Sequence, residues 1–145
     1  MAICEKCIAE SFMKGYDCSQ VVVAHFADRL GISAETANKL AACYGAGLME
    51  KGPCGAYTGA LMVIGLKYGH WNEEGIMEQK GILMAKSTEF KQKFYEKYAS
   101  NNCKELLGYD VTIPEEYQQS IDSGRMFSFC PCMVKTVVEI LEEMI

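Results

Sequence analysis

Apolar residues recur at helical spacing along nearly the whole chain, and a glycine closes almost every such stretch. This alternation restricts the fold more than any other feature. A 3.6-residue period does not suit a strand, and a glycine just past a periodic run marks a helix C-terminus. Ile3 to Met13 is the first helical stretch and stops at Gly15. Asp17 can cap a second, whose Val21, Val22, Ala24, Phe26 and Leu30 form an apolar set before Gly31. Ser33 caps a third, with Glu35 near its positive end and Ala37, Leu40, Ala41 and Tyr44 as its apolar residues. From Gly45 to Pro53, three glycines and a proline within nine residues mark a loop. A fourth helix is expected from about Cys54 to Tyr68, and a long fifth from Glu73 to Ala99, capped by Asn72. Asn102 to Leu107 reads as one short turn closed by Gly108, and Pro114 opens another short helix to about Ile121. Ser123 to Phe129 reads as a loop, after which Pro131 begins a last helix with Val134, Val137, Val138, Leu141 and Met144 inward. Only Tyr109 to Ile113 has strand character, too little for a sheet. The expected fold is all-α: one domain over residues 1–145, with five or six main helices plus short helical turns.

With 145 residues the chain is long enough to bury a core, and its formal charge of -5 comes with no basic stripe, which argues against nucleic acid. The longest apolar run, Gly59 to Leu66, falls well short of the ~20 residues that span a bilayer, so membrane insertion is not expected. The start, Met1-Ala-Ile-Cys-Glu-Lys-Cys, lacks the basic opening and apolar stretch of a signal peptide, and the expected compartment is the cytoplasm. That placement makes the eight cysteines informative, because a reducing cytosol keeps structural disulfides open. Such cysteines serve as small buried hydrophobes, metal ligands or reactive thiols.

Their positions are more telling than their number. Cys18 follows the cap candidate Asp17, Cys54 follows Gly52-Pro53 at the start of the fourth helix, and Cys103 follows the cap candidate Asn102. Cys130 precedes Pro131 and so takes the expected cap position of the last helix, with Cys132 in its first turn. At a helix N-terminus unpaired N–H groups and the macrodipole favour thiolate over thiol, the form that redox chemistry and metal binding both require. The remaining cysteines carry less. Cys4 and Cys7 lie one turn apart, close enough to join or to share a metal in a peripheral role, and Cys43 sits in an apolar stretch that suggests core. Cys130 and Cys132 would close a tight ring if joined to each other. Gly55 and Gly59, one turn apart on the fourth helix, let another backbone approach closely.

Among other residues, His25 lies two helical turns after Cys18, where it could act on a proton, although a helical histidine more often serves structure. His70 reads as a turn residue, and Tyr44 and Tyr57, flanking the glycine loop, read as aromatic core. No phosphate loop, serine-hydrolase elbow or paired-carboxylate arrangement stands out.

Taken together, Asp17-Cys18-Ser19-Gln20, Cys54-Gly55-Ala56-Tyr57-Thr58-Gly59, Cys103-Lys-Glu-Leu-Leu-Gly108 and Cys130-Pro-Cys-Met-Val134 resemble the C_GCAxxG_C_C family, whose members are described as redox-active. The resemblance covers nearly the whole chain and implies four key cysteines: Cys18, Cys54, Cys103 and one of the last motif, assigned to Cys130 with Cys132 as its rival. It also implies a functional link to transporters. Three functions follow for testing. One is disulfide or electron transfer by thiols, with no cofactor and with a redox partner still to be named. Another is a zinc or iron–sulfur site built on Cys18, Cys54, Cys103 and Cys130. A third is a non-catalytic helical accessory of a transporter system. Whether the chain forms a homo-oligomer stays open.

Overall fold

The computed structural model describes residues 2–145. Among them are eight α-helices and no strand: α1 (Glu5–Met13), α2 (Cys18–Ala27), α3 (Ala34–Ala41), α4 (Gly55–Tyr68), α5 (Ile76–Lys97), α6 (Cys103–Leu107), α7 (Pro114–Asp122) and α8 (Arg125–Met144). The all-α expectation is met. No helix among the described residues is long and apolar enough to cross a membrane.

α4 is the central element. A helix that is apolar on all sides must be surrounded, and α4 buries Gly55, Ala56, Tyr57, Gly59, Ala60, Val63 and Ile64 against α2, α5 and α8. Its closest crossing is with α2. A side chain carbon added to Gly55 would stand 2.9 Å from the Ser19 nitrogen, and one added to Gly59 would stand 3.0 Å from the Ser19 oxygen. Only bare backbone fits there. α8 presents the expected stripe: Val134, Val137, Val138, Leu141 and Met144 are all buried. Tyr57 reaches from α4 into an aromatic group with Phe90, Phe94 and Tyr95 of α5, as core.

Several starts follow the expected chemistry. The Asp17 side chain and Gln20 form a capping box on α2, Ser33 accepts from the Thr36 N–H to cap α3, and Asn102 accepts from the Glu105 N–H to cap α6. Pro114 stands in the first turn of α7.

Four expectations need correction. The fifth helix starts at Ile76, with Gly75 at its cap, because Asn72 uses its side chain on the Glu74 N–H instead. The Gln79 side chain then holds that turn together, accepting from the N–H groups of Trp71 and Asn72. Tyr109 to Ile113 is a turn around Asp110, whose carboxylate accepts from the Thr112 N–H at 3.0 Å. Cys43, expected in the core, is exposed.

The fourth correction bears on function. α8 begins at Arg125, six residues before Pro131, which lies inside the helix. Proline in a helix interior removes one N–H and normally breaks the ladder. Here the residues on both sides continue the helix, and the tertiary packing of Pro131 itself and of Met133 and Val134, all buried, outweighs a local preference of about 3 kcal/mol. Cys130 therefore sits in the second turn of α8 and not at a cap.

Candidate functional site

Cys54 is the N-cap of α4, where the backbone N–H groups of Ala56 and Tyr57 help to lower its thiol. Its own N–H is donated to the Asn101 oxygen at 2.6 Å, and the Cys103 N–H to the Gly52 oxygen at 2.9 Å. The Asn102 side chain adds a bond to the Lys51 oxygen at 2.8 Å. These crossed bonds lash the start of α6 to the start of α4, which puts Cys103 beside Cys54. The glycine-permitted crossing of α2 on α4 brings Cys18 in from the other side, its Cβ 3.3 Å from where a Gly55 Cβ would stand. α8 supplies Cys130 and, one turn on, Met133, whose sulfur is 3.8 Å from that of Cys54.

The four cysteines named from the sequence thus line one small enclosed cavity of about 30 Å³, with Ala46, Leu106 and Phe129 among its other walls. Cys18 is central, and the neighbouring sulfurs of Cys130 and Cys54 both act on its thiol. Cys18, Cys103 and Cys130 also face a second, more open cavity that leads outward.

The electrostatics differ from the expectation that each helix start would favour thiolate. Only Cys54 moves down: the bond from Cys18 and the two backbone N–H groups of α4 outweigh its burial. Cys18 moves well up, first because its proton is shared with Cys130 and Cys54, then because it is buried. Burial pushes Cys103 up to about 12, with the charge of Cys54 adding to the effect. A five-residue helix has too little dipole to overcome that desolvation. Of Cys18, Cys54 and Cys103, only Cys54 is shifted toward thiolate.

The connection from α3 to Cys54 is unusual. Ala46, Gly47, Leu48 and Met49 are all left-handed, as is Lys51, and the turn is closed by the Gly52 N–H on the Gly47 oxygen at 2.6 Å. Left-handed backbone costs about 1–2 kcal/mol at each non-glycine position. The turn puts Ala46 into the wall of both cavities, and a side chain at Gly47 would stand 2.9 Å from the Cys103 Cβ. Strain of this kind concentrates where a fold holds a site in place.

The other candidates lie elsewhere or have partners. Cys4 and Cys7 are joined by a disulfide at the start of α1. Cys132 is exposed, on the outer side of α8 from Cys130. His25 pairs through Nε2 with Glu142 at 2.9 Å, and Arg29 with the same oxygen at 3.0 Å, so its ring ties α2 to α8. Three neighbours went unmarked in the sequence. Ala46 has no chemical signature, Met133 carries none beyond its place in the last cysteine motif, and the buried Asp110, which acts on Cys103, lay inside the segment read as strand-like. Among the described residues, no group of three or more His, Cys, Asp or Glu side chains is arranged to hold a metal ion.

Four sulfurs from α2, α4, α6 and α8, in that order along the chain, meet the pattern of a family model described as "Putative redox-active protein (C_GCAxxG_C_C)", which matches residues 16–144. The chain belongs to the C_GCAxxG_C_C family. The match begins just after α1, so the Cys4–Cys7 pair lies outside this family's domain, whereas Cys18, Cys54, Cys103 and Cys130 all lie within it. No curated protein and no solved structure matches the chain.

Proposed function

We propose that this C_GCAxxG_C_C protein carries out thiol–disulfide exchange at Cys18 and Cys54, with Cys103 and Cys130 completing the site. The observation that carries the reading is geometric: Cys18 and Cys54 line one small cavity where α2 crosses α4, and Cys18 alone of the two also faces the open cavity. Of the two, Cys54 is lowered and Cys18 raised, so a charge held by the pair rests on Cys54. Cys18 passes its proton to Cys54 and attacks one sulfur of a substrate disulfide; that bond breaks, and the departing thiolate takes the proton back from Cys54. The regenerated Cys54 thiolate then attacks the Cys18 sulfur of the mixed disulfide. A Cys18–Cys54 bond forms, and the second substrate sulfur leaves as thiolate and is protonated by solvent. Two protein thiols lose two electrons and one substrate disulfide gains them.

A zinc or iron–sulfur site on the same four thiols would need their side chains to turn toward a common point. The two readings separate on anaerobically purified protein by metal analysis together with peptide mapping after oxidation. Exchange chemistry predicts a Cys18–Cys54 peptide and less than stoichiometric zinc or iron. Stoichiometric metal, or oxidised protein in which Cys18 and Cys54 never join, would sink it.

A further inference from the structure

Above the sulfurs lies the open cavity, about 170 Å³, walled by Cys18, Cys103 and Cys130. Its remaining lining is mostly aromatic and aliphatic, including Phe12, Tyr117, Met126 and Phe127. Among the described residues no lysine, arginine or histidine lines it. Its one carboxylate, Asp17, is already engaged as the cap of α2.

We propose that this cavity is the substrate chamber of the thiol site and that it takes an uncharged, low-molecular-mass disulfide with small apolar groups. The inference rests on the exchange reading above and narrows its substrate. Size is the first argument: an apolar cavity of about 150 Å³ holds a benzene-sized guest, so this one holds a molecule of a few carbon atoms on each side of an S–S bond. Chemistry is the second, since divalent sulfur packs favourably against aromatic edges such as those of Phe12, Tyr117 and Phe127. Charge is the third. A disulfide bearing carboxylates would lose hydration with no cation to receive it, beside Asp17 and on a chain of net charge -5. In the chamber the substrate is reduced to two thiols as Cys18 and Cys54 become a disulfide.

The test mixes fully reduced protein, without oxygen, with diethyl disulfide, bis(2-hydroxyethyl) disulfide, dicationic cystamine, oxidised glutathione and disulfide-bonded insulin. Each rate is divided by that probe's rate with free N-acetylcysteine, which removes intrinsic reactivity. The expected result is a preference of roughly tenfold or more for the two uncharged probes over glutathione disulfide, the discrimination that a shaped apolar pocket gives. Val111, a partly exposed residue of the chamber wall, allows a second arm: V111W fills the space and should slow the uncharged probes by roughly tenfold while moving glutathione disulfide little. Oxidation of Cys18 and Cys54 at equal normalised rates by all probes, or fastest by cystamine or insulin, overturns the chamber and leaves the exchange reading standing. If no probe oxidises the pair, both fall together.

Discussion

Cys4 and Cys54 occupy the same local position and have different chemistry. Each is the N-cap of its helix: the Cys4 sulfur accepts the Cys7 N–H, and the N–H groups of Ala56 and Tyr57 help to lower the Cys54 thiol. Cys4 lies at the surface, where its neighbour one turn on is Cys7, and the two are joined. Cys54 is buried, and its sulfur neighbours come from three other helices: Cys18, Cys103 and Cys130. A helix start supplies the same dipole to both. What the sulfur then does is set by which other sulfurs the fold brings to it and by how much water it keeps.

Breaking the comparison at its centre gives the largest effect. If exchange runs as proposed, Cys54→Ala removes the group that takes the Cys18 proton and resolves the mixed disulfide, and the exchange rate should fall by about 10²–10⁴-fold. The matching Cys4→Ala should leave it within about twofold. Stopped-flow oxidation of the reduced proteins measures both, and a Cys4 effect as large as that of Cys54 would erase the distinction.

Titration sharpens the comparison next. Thiolate absorbance should show one group ionising below the ordinary thiol value, lost in Cys54→Ala. Stability then depends on pH with two signs. Cys54, depressed in the folded state, adds stability that grows as pH rises through its folded value toward the unfolded one, and loses it as pH falls. Cys18 and Cys103, raised by folding, contribute stability below the unfolded thiol value that declines as pH climbs from there toward the Cys103 value of about 12. Each group supplies a slope of up to about 1.4 kcal/mol per pH unit. Urea unfolding between pH 6 and 11 should therefore give a stability maximum near the unfolded thiol value. A curve rising steadily to pH 11 would contradict the raised pair.

Smaller effects separate the crossing that builds the site from helix surface that does not. Gly59→Val pushes a side chain into the Ser19 backbone and Val22, and should destabilise the protein by about 1–3 kcal/mol as well as slow exchange. Gly65, on the same helix with open space around it, should tolerate alanine with a gain of about 0.5–1 kcal/mol and unchanged exchange. Thermal or urea melts of the two variants check the pair. The least effect belongs to Lys39→Ala, which removes the exposed Glu35 pair and should change stability by less than about 0.5 kcal/mol.

Much of the helical layout was legible because it rests on local rules. Ser33, Asp17 and Asn102 cap as their side chains allow, Gly31 and Gly108 end helical turns in left-handed backbone, and the α8 stripe is buried as its spacing requires. The failures came where longer-range packing overrode a local signal. Pro131 looked like a start and is interior, since packing against α4 and α6 holds the residues around it in one helix. Asn72 looked like a cap and instead pairs with Glu74. Cys43 looked like core because its neighbours in sequence are apolar, yet it faces outward where α3 tightens into a final turn.

From the sequence alone came the all-helical fold, the family and the four cysteines that the fold gathers round one cavity, because periodicity, capping and motif order are written residue by residue. The tertiary structure decided that Cys54 is the sulfur shifted toward thiolate and that Cys18, Cys103 and Cys130 face the open cavity while Cys54 does not. These depend on desolvation and on neighbours from α2, α4, α6 and α8, separated by dozens of residues in the chain, and no local pattern encodes the distance between two sulfurs brought together by folding.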